Sequence, residues 1–294
     1  MKNLTKKALL GMSGLALMSA VGSTQAAFIV NDWTLDLSGL TPAGPVINNI
    51  DQIGFTATPF HIVGDTPDGV LTTGEGFTVE GKGVLSTFVS FSLGTQTPAG
   101  INNDFEITYE FSGVRGTIGA PNPDGTLSFT HNPGGTLQFF FDDLGDGTKA
   151  VPGTGVGFGA AGGGQLFATF DVSVNALAGL GLSDGGAVSA TTGDGSDDIT
   201  FVLTNTHGFS VFKTAGGDPL NPAFAHLDSN FDSSPAGGAP FQFQTGGFNC
   251  GQTGDNFCGL EDGSAILAVP EPGLTLLVGA GLSAFGFRIR SKAV

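Results

Sequence analysis

Residues 105–112 alternate without interruption: Phe105, Ile107, Tyr109 and Phe111 on one parity, Glu106, Thr108, Glu110 and Ser112 on the other. Successive side chains of a strand point to opposite faces, so this pattern describes a strand with one buried and one wet face. Leu166, Ala168, Phe170, Val172 and Val174 repeat the pattern. No comparable stretch repeats at helical spacing, and a chain patterned in this way must bury its apolar side chains between sheets. Further strands are predicted at residues 28–37, 84–93, 127–130, 137–141, 199–204 and 209–212, separated by clusters of Gly, Pro, Asn and Asp. Many short antiparallel strands with turn signals between them predict an all-β fold, an antiparallel β-sandwich of jelly-roll type. Gly125-Thr-Leu-Ser-Phe129 and Gly135-Thr-Leu-Gln-Phe139 flank His131-Asn132-Pro133-Gly134. Two matched segments around such a turn predict a β-hairpin. Residues 153–164 and 232–240 are low-complexity stretches that read as surface loops.

Both ends of the chain differ from this body. Lys2, Lys6 and Lys7 precede an apolar run from Ala8 to Val21, and Thr24-Gln25-Ala26 supplies small residues at the two positions a signal peptidase reads. Residues 1–26 are therefore expected to be a signal peptide cleaved after Ala26. At the other end, Pro270-Glu271-Pro272 precedes the uncharged run 273–287 and then Arg288, Arg290 and Lys292. As a helix the uncharged run covers roughly 22 Å, against a hydrocarbon core of about 30 Å. Snorkelling basic side chains and local bilayer thinning accommodate such a short span, with the basic cluster 288–294 on the cytoplasmic side. Pro270 and Pro272 stop the helix from extending towards the N-terminus and keep Glu271 extended and open to a protease.

These tail residues, in this order at the C-terminus, resemble the PEP-CTERM sorting signal. The resemblance implies recognition and cleavage by an exosortase, a membrane-embedded cysteine transpeptidase-like enzyme of Gram-negative bacteria. The body between the signals is similar to flocculation-associated PEP-CTERM proteins of floc-forming, exopolysaccharide-producing bacteria. That similarity includes Thr130-His131-Asn132-Pro133-Gly134-Gly135 and Phe139-Phe140-Phe141-Asp142-Asp143. It implies a matrix or cell-surface protein that promotes floc or biofilm formation together with exopolysaccharide, held transiently in the inner membrane and then released. The alternative is a polysaccharide- or calcium-binding module of the cell surface. The expected organisation is signal peptide 1–26, β-sandwich ectodomain 27–268 and sorting signal 269–294, with about 240 residues forming one domain.

Charge narrows the partners. Of ten basic residues, three lie in the signal peptide and three in the tail, leaving Lys82, Arg115, Lys149 and Lys213; of twenty-six acidic residues, only Glu271 lies at the expected cut. Such a body repels nucleic-acid phosphates and anionic lipid and attracts divalent cations and basic partners. Cys250 and Cys258 are the only cysteines, and in an exported chain they are expected to form a disulfide, closing a loop of about nine residues at a gain of about 2.6 kcal/mol. Their spacing does not suit zinc, and no basic group adjoins them to activate a thiolate.

Most catalytic patterns are absent, although a glycosidase's pair of carboxylates can come from anywhere in a chain and leaves no local signature. Gly157-Phe-Gly159-Ala-Ala-Gly162 matches a dinucleotide fingerprint in letters only, because a strand-like segment follows it instead of a helix. His61, His131, His207 and His226 are scattered, and no Gly-x-Ser-x-Gly elbow occurs. One Trp and one Tyr are few for a sugar-cleaving cleft, and a non-enzymatic protein without a bound cofactor is expected. Calcium is the candidate ligand, through Asp142, Asp143 and Asp146 or through Asp194, Asp197 and Asp198, where several carboxylates in a turn would converge on a hard cation. Neither group has EF-hand spacing, and Asp beside Gly is also ordinary turn chemistry.

Overall fold

The computed structural model describes residues 27–41, 44–66, 71–145, 147–150, 159–189, 194–232 and 256–270. Fifteen strands follow one another: β1 (Ala27–Ile29), β2 (Trp33–Asp36), β3 (Val46–Ile50), β4 (Gln52–Gly64), β5 (Gly76–Ser90), β6 (Gly94–Gln96), β7 (Glu106–Pro121), β8 (Leu127–Asn132), β9 (Thr136–Asp142), β10 (Gln165–Val172), β11 (Gly185–Val188), β12 (Gly195–Asn205), β13 (Phe212–Lys213), β14 (Phe224–Asp232) and β15 (Asn256–Pro270). The only helical turns among the described residues are two short 3₁₀ segments, Gly159–Gly162 and Ala178–Leu180. The protein is all-β and its strand ladders are antiparallel.

Where two facing sheets of a jelly roll were expected, twelve strands form one sheet that closes on itself. β4, β5 and β7 pair in sequence, and β7 then carries β8 along its C-terminal half and β9 along its N-terminal half. β9 pairs with β10 and β8 with β11, and both β10 and β11 pair with β12. β14 and β15 continue the order, and β15 returns to β4. Counting β8 with β9 and β10 with β11 as interrupted single staves, the pairing is an eight-stave meander closed into a barrel, which leaves the main ladder without long free edges. β1 and β6 add short pairs to β15 and β5. β13, β2 and β3 form a separate small sheet.

The segment Asn132–Gly135 corrects the hairpin expectation. β8 and β9 do not pair with each other; Arg115 faces Asn132 and Ser112 faces Thr136, so the two lie end to end along β7. Asn-Pro-Gly-Gly makes a kink within one long stave. Gly134 and Gly135 take φ of 116° and 103°, and a Cβ on Gly135 would lie 2.6 Å from the backbone of Val114. Proline cannot donate to a ladder, and left-handed glycines allow the bend.

A barrel this narrow is filled by its own side chains, and the filling uses both the glycines and the phenylalanines in which the sequence is rich. Aromatic rings repeatedly lie over the glycine directly across the ladder: Phe111 over Gly81, Tyr109 over Gly83 and Phe77 over Gly116. A Cβ at any of these three glycines would sit 2.0–2.2 Å from the ring. Phe129 with Gly186 and Phe55 with Gly263 repeat the arrangement, each with the ring 2.8 Å from such a Cβ. Rings then pack on rings: Phe77 on Phe129 with centroids 5.4 Å apart, Phe55 on Tyr109 at 5.6 Å, and Phe139 on Phe170 at 5.8 Å. Phe170 meets Phe212 of the small sheet, and Phe212 meets Trp33, so the small sheet joins the same core. The cavity bounded by Phe60, Phe77, Phe111 and Phe129 holds only about 30 Å³, so the interior is packed and not a ligand chamber.

The strand that ends the described structure runs through Pro270, two residues beyond the expected domain edge, and Ala27 pairs with Pro270. The tail beyond Pro270, including Glu271, Pro272, Arg288, Arg290 and Lys292, and the segment up to Ala26 lie outside the described residues, as does Cys250. Cys258 lies on β15 across from His61. No helix among the described residues is long and apolar enough to cross a membrane.

Candidate functional site

The outer wall of the barrel carries a polar cleft that brings several chemically active side chains together. On β12 the parity that sends Ile199, Phe201 and Leu203 into the core turns Asp198 and Thr200 outwards. On β14, Leu227 and Ala225 are buried in the core, and His226 and Asp228 have the opposite parity. Register aligns two rows across the wall. Asp198 faces Asp228, which faces Ser264; Thr200 faces His226, which faces Ile266, which faces Gln52.

A roof closes one side. The connection from β10 to β11 does not turn tightly but runs over the wall through residues 173–184, fixed by the Ser173 N–H to the Thr200 carbonyl at 2.8 Å. Its 3₁₀ turn ends at Gly181 in the left-handed conformation, φ 77°. Leu177 is buried against Ala27 and Ala268, with Leu180, Leu182 and Phe224 around them. This satellite core holds the roof to the barrel. Gln52, Gly181, Leu182, Ser183, Asp198, His226, Asp228, Ser264 and Ile266 then enclose a half-open volume of about 210 Å³.

The electrostatics of the cleft are acidic. Asp198 and Asp228 are like charges directly across a ladder, an arrangement that costs stability unless a proton or cation intervenes. Burial, then the carboxylates of Asp228, Asp197 and Asp184, push Asp198 from the ordinary 3.8 up to about 6, with His131 opposing weakly. Burial holds His226 below its ordinary value in spite of Asp184, Asp228 and Asp197, so at neutral pH its ring is uncharged. Its Nδ1 contacts the Thr200 hydroxyl at 3.0 Å, while its Nε2 lies 3.8 Å from Asp198 Oδ1, beyond hydrogen-bond range. The Gln52 amide donates to Ser264 Oγ. Asp184, at the end of the roof, accepts from the Asn175 N–H through Oδ2, and its buried Oδ1 has no hydrogen-bond partner among the described residues.

The neighbouring Asp197 has the opposite parity and enters the barrel. There its Oδ1 meets His131 Nε2 at 2.6 Å, and His131 packs edge-on against the rings of Phe77 and Phe129. Burial lowers the His131 value, but the Asp197 charge and hydrogen bond, the Arg115 backbone and Asp184 outweigh it and hold the ring above its ordinary 6.5.

The carboxylates expected to share calcium are therefore divided. Asp197 faces the core and Asp198 the cleft, while Asp194 belongs to the turn whose carbonyl accepts from Ser189 N–H. Asp142 Oδ1 accepts from Leu144 N–H and Asp143 Oδ1 from Gly145 N–H, which is the local turn chemistry of Asp. Asp146 lies outside the described residues. Among the described residues, no three His, Cys, Asp or Glu side chains converge to hold a metal. His226, Asp228, Ser264 and Gln52 were not singled out as a group by sequence. Alternation at Phe224-Ala-His-Leu-Asp228 was the available signal for β14, but only register joins the four.

Fold and cleft together define an all-antiparallel β-barrel protein with a packed interior and an acidic external site. The chain matches no protein-family model, and comparison with curated proteins and with solved structures returns no match.

Proposed function

We propose that this is an exported protein, cleaved by signal peptidase after Ala26 and by an exosortase at Pro270–Pro272, and retained in the extracellular matrix or at the cell surface, where it supports floc or biofilm formation with exopolysaccharide. The observation that carries the reading is the pairing of Ala27 with Pro270. The folded body reaches both processing boundaries and holds them side by side on adjacent strands. Either cut would leave the closed ladder whole, as a protein released from its anchor requires. The same end of the barrel carries the exposed apolar side chains Phe28 and Ile29, and the turn with exposed Phe91 and Leu93 joins it through Asp51, which accepts from the Asp32 and Phe91 N–H groups. Apolar side chains there suit a body tethered close to a bilayer before release. The packed interior suits a structural role.

Isolation of the protein from the matrix, with intact-mass measurement, tests the processing. The expected species begins at Ala27 and lacks 273–294; a matrix form that keeps those residues contradicts the reading. Deletion of the gene is expected to reduce flocculation, and unchanged flocs would contradict the matrix role.

The cleft favours a second reading, a surface binding module whose retention follows from recognising a polysaccharide. Saturable binding of extracted polysaccharide, lost on changing cleft residues and measured with and without calcium, separates this module from a purely structural protein.

A further inference from the structure

We propose that the cleft beneath residues 173–184 receives a primary ammonium group carried on a hydroxylated ring, that is, an unacetylated amino-sugar residue of a polysaccharide; this rests on the binding-module reading and narrows it. Charge comes first. Asp198 and Asp228 oppose each other in the cleft, the nearby Asp184 adds to their field, and among the described residues no Lys or Arg lines it. Neighbouring titratable groups do not neutralise these charges: His226 is uncharged at neutral pH, and His131 is committed to Asp197 inside the barrel.

Hydrogen-bond capacity is the second, independent observation. His226, which lines the cleft, is 5% exposed, and its Nε2 has no hydrogen-bond partner among the described residues, Asp198 Oδ1 lying 3.8 Å away. An open nitrogen at the cleft edge of an otherwise buried ring is a place where a ligand or water completes the hydrogen bonding. An ammonium offers three donors, which match the two opposed carboxylates and one further acceptor.

Shape selects the remainder of the ligand. Ser264 and Gln52 present hydroxyl and amide groups on one side, and Leu182 and Ile266 present apolar surface to the C–H face of a ring. A volume of about 210 Å³ lies below the range of roughly 300–1,000 Å³ that holds drug-sized ligands, so one ring enters and the rest of the polymer stays outside. A hard divalent cation fits less well, because calcium takes six to eight oxygens and no set of three ligating side chains converges among the described residues.

The test titrates the full chain at pH 7.5 with glucosamine oligomers, their N-acetylated counterparts, cello-oligosaccharides, a lysine amide and calcium chloride. The expected result is saturable binding of the glucosamine oligomer, at least tenfold tighter than any other probe. Asp198→Asn and Asp228→Asn are each expected to weaken it at least tenfold. Asp218→Asn, which removes one exposed charge elsewhere, should leave it unchanged and so controls for general acidity. Affinity should also fall as pH drops through about 6, where Asp198 takes up a proton. Equal affinity for acetylated or neutral oligomers overturns the proposal, as does insensitivity to Asp198→Asn in a variant that melts cooperatively. Lysine amide binding as tightly as the sugar overturns the amino-sugar assignment, and calcium binding without amine binding replaces it with a cation site. Hydrolysis of the oligomer overturns a receptor role. Floc formation is measured separately in the null strain, so failure of the cleft proposal leaves the matrix reading standing.

Discussion

At the scale of single residues, two adjacent aspartates act in opposite senses because strand parity sends one inwards and the other outwards. His131 has a raised value in the folded barrel, so its stabilising contribution is complete below the unfolded value of about 6.5 and is lost as pH rises through the folded value. Asp197→Asn removes the charge partner of this buried ring and is expected to cost about 2–3 kcal/mol at pH 5.5 and clearly less at pH 8.5, read by urea unfolding at both values. Asp198 also has a raised value, so the folded protein binds a proton more tightly there than the unfolded chain does. Its contribution favours folding below the unfolded value and is lost as pH rises through about 6. At pH 7.5 its charge therefore opposes folding. The shift corresponds to about 3 kcal/mol if undiminished, and because the Asp198 side chain is 41% exposed, solvent screening reduces this to about 1 kcal/mol. Asp198→Asn should raise the melting temperature by about 2–4 °C at pH 7.5 and leave it unchanged at pH 3.5. The same substitution is expected to weaken ligand binding, so stability and binding move in opposite directions at this position.

At the scale of elements, the long alternating segments were legible and the way they pair was not. The strand expected at 105–112 is the N-terminal half of β7, and 166–174 corresponds closely to β10, because apolar alternation is a local property. β4, β14 and β15 are not among the strands expected from sequence. Small residues such as Ala225, Gly263 and Ala265 fill inward positions of β14 and β15 and weaken the apolar signal. The expected hairpin failed for a different reason. Both flanking segments alternate correctly, but β7 is long enough to pair with both at once, and the kink at Pro133-Gly134-Gly135 then gains more ladder than a tight turn would. Gly116 gives the sharpest element-scale test. Its Cβ position lies 2.2 Å from the Phe77 ring and 2.8 Å from the Thr130 carbonyl oxygen, so Gly116→Ala overpacks against both a ring and fixed backbone. A loss of about 2–3 kcal/mol is expected in chemical denaturation. Combining it with Phe77→Leu should recover part of that loss, since the smaller side chain vacates the space; strict additivity of the two costs would argue against the pairing of ring and glycine.

For the whole molecule, closure of the meander and the acidic surface are the governing properties. Residues 27–270 hold only Lys82, Arg115, Lys149 and Lys213 against their carboxylates, and the ion pairs Lys82–Glu110 and Lys213–Asp36 occupy two of these four. Self-repulsion should therefore be screened by salt, and the melting temperature of a protein spanning residues 27–270 is expected to rise between about 20 and 300 mM sodium chloride; a fall would show that ion pairs outweigh repulsion. By itself the sequence determined the all-β class, the strand alternation, the charge balance and the expected processing signals. Each is written in residue order, in spacing, or in composition. Only the tertiary structure decided that the sheet closes, that glycines seat aromatic rings across the ladder, that Ala27 meets Pro270, and that Asp198, His226, Asp228 and Ser264 share one cleft. Those facts depend on register between strands far apart in the chain, and one residue of slip would send Asp198 into the core and Asp197 into the cleft.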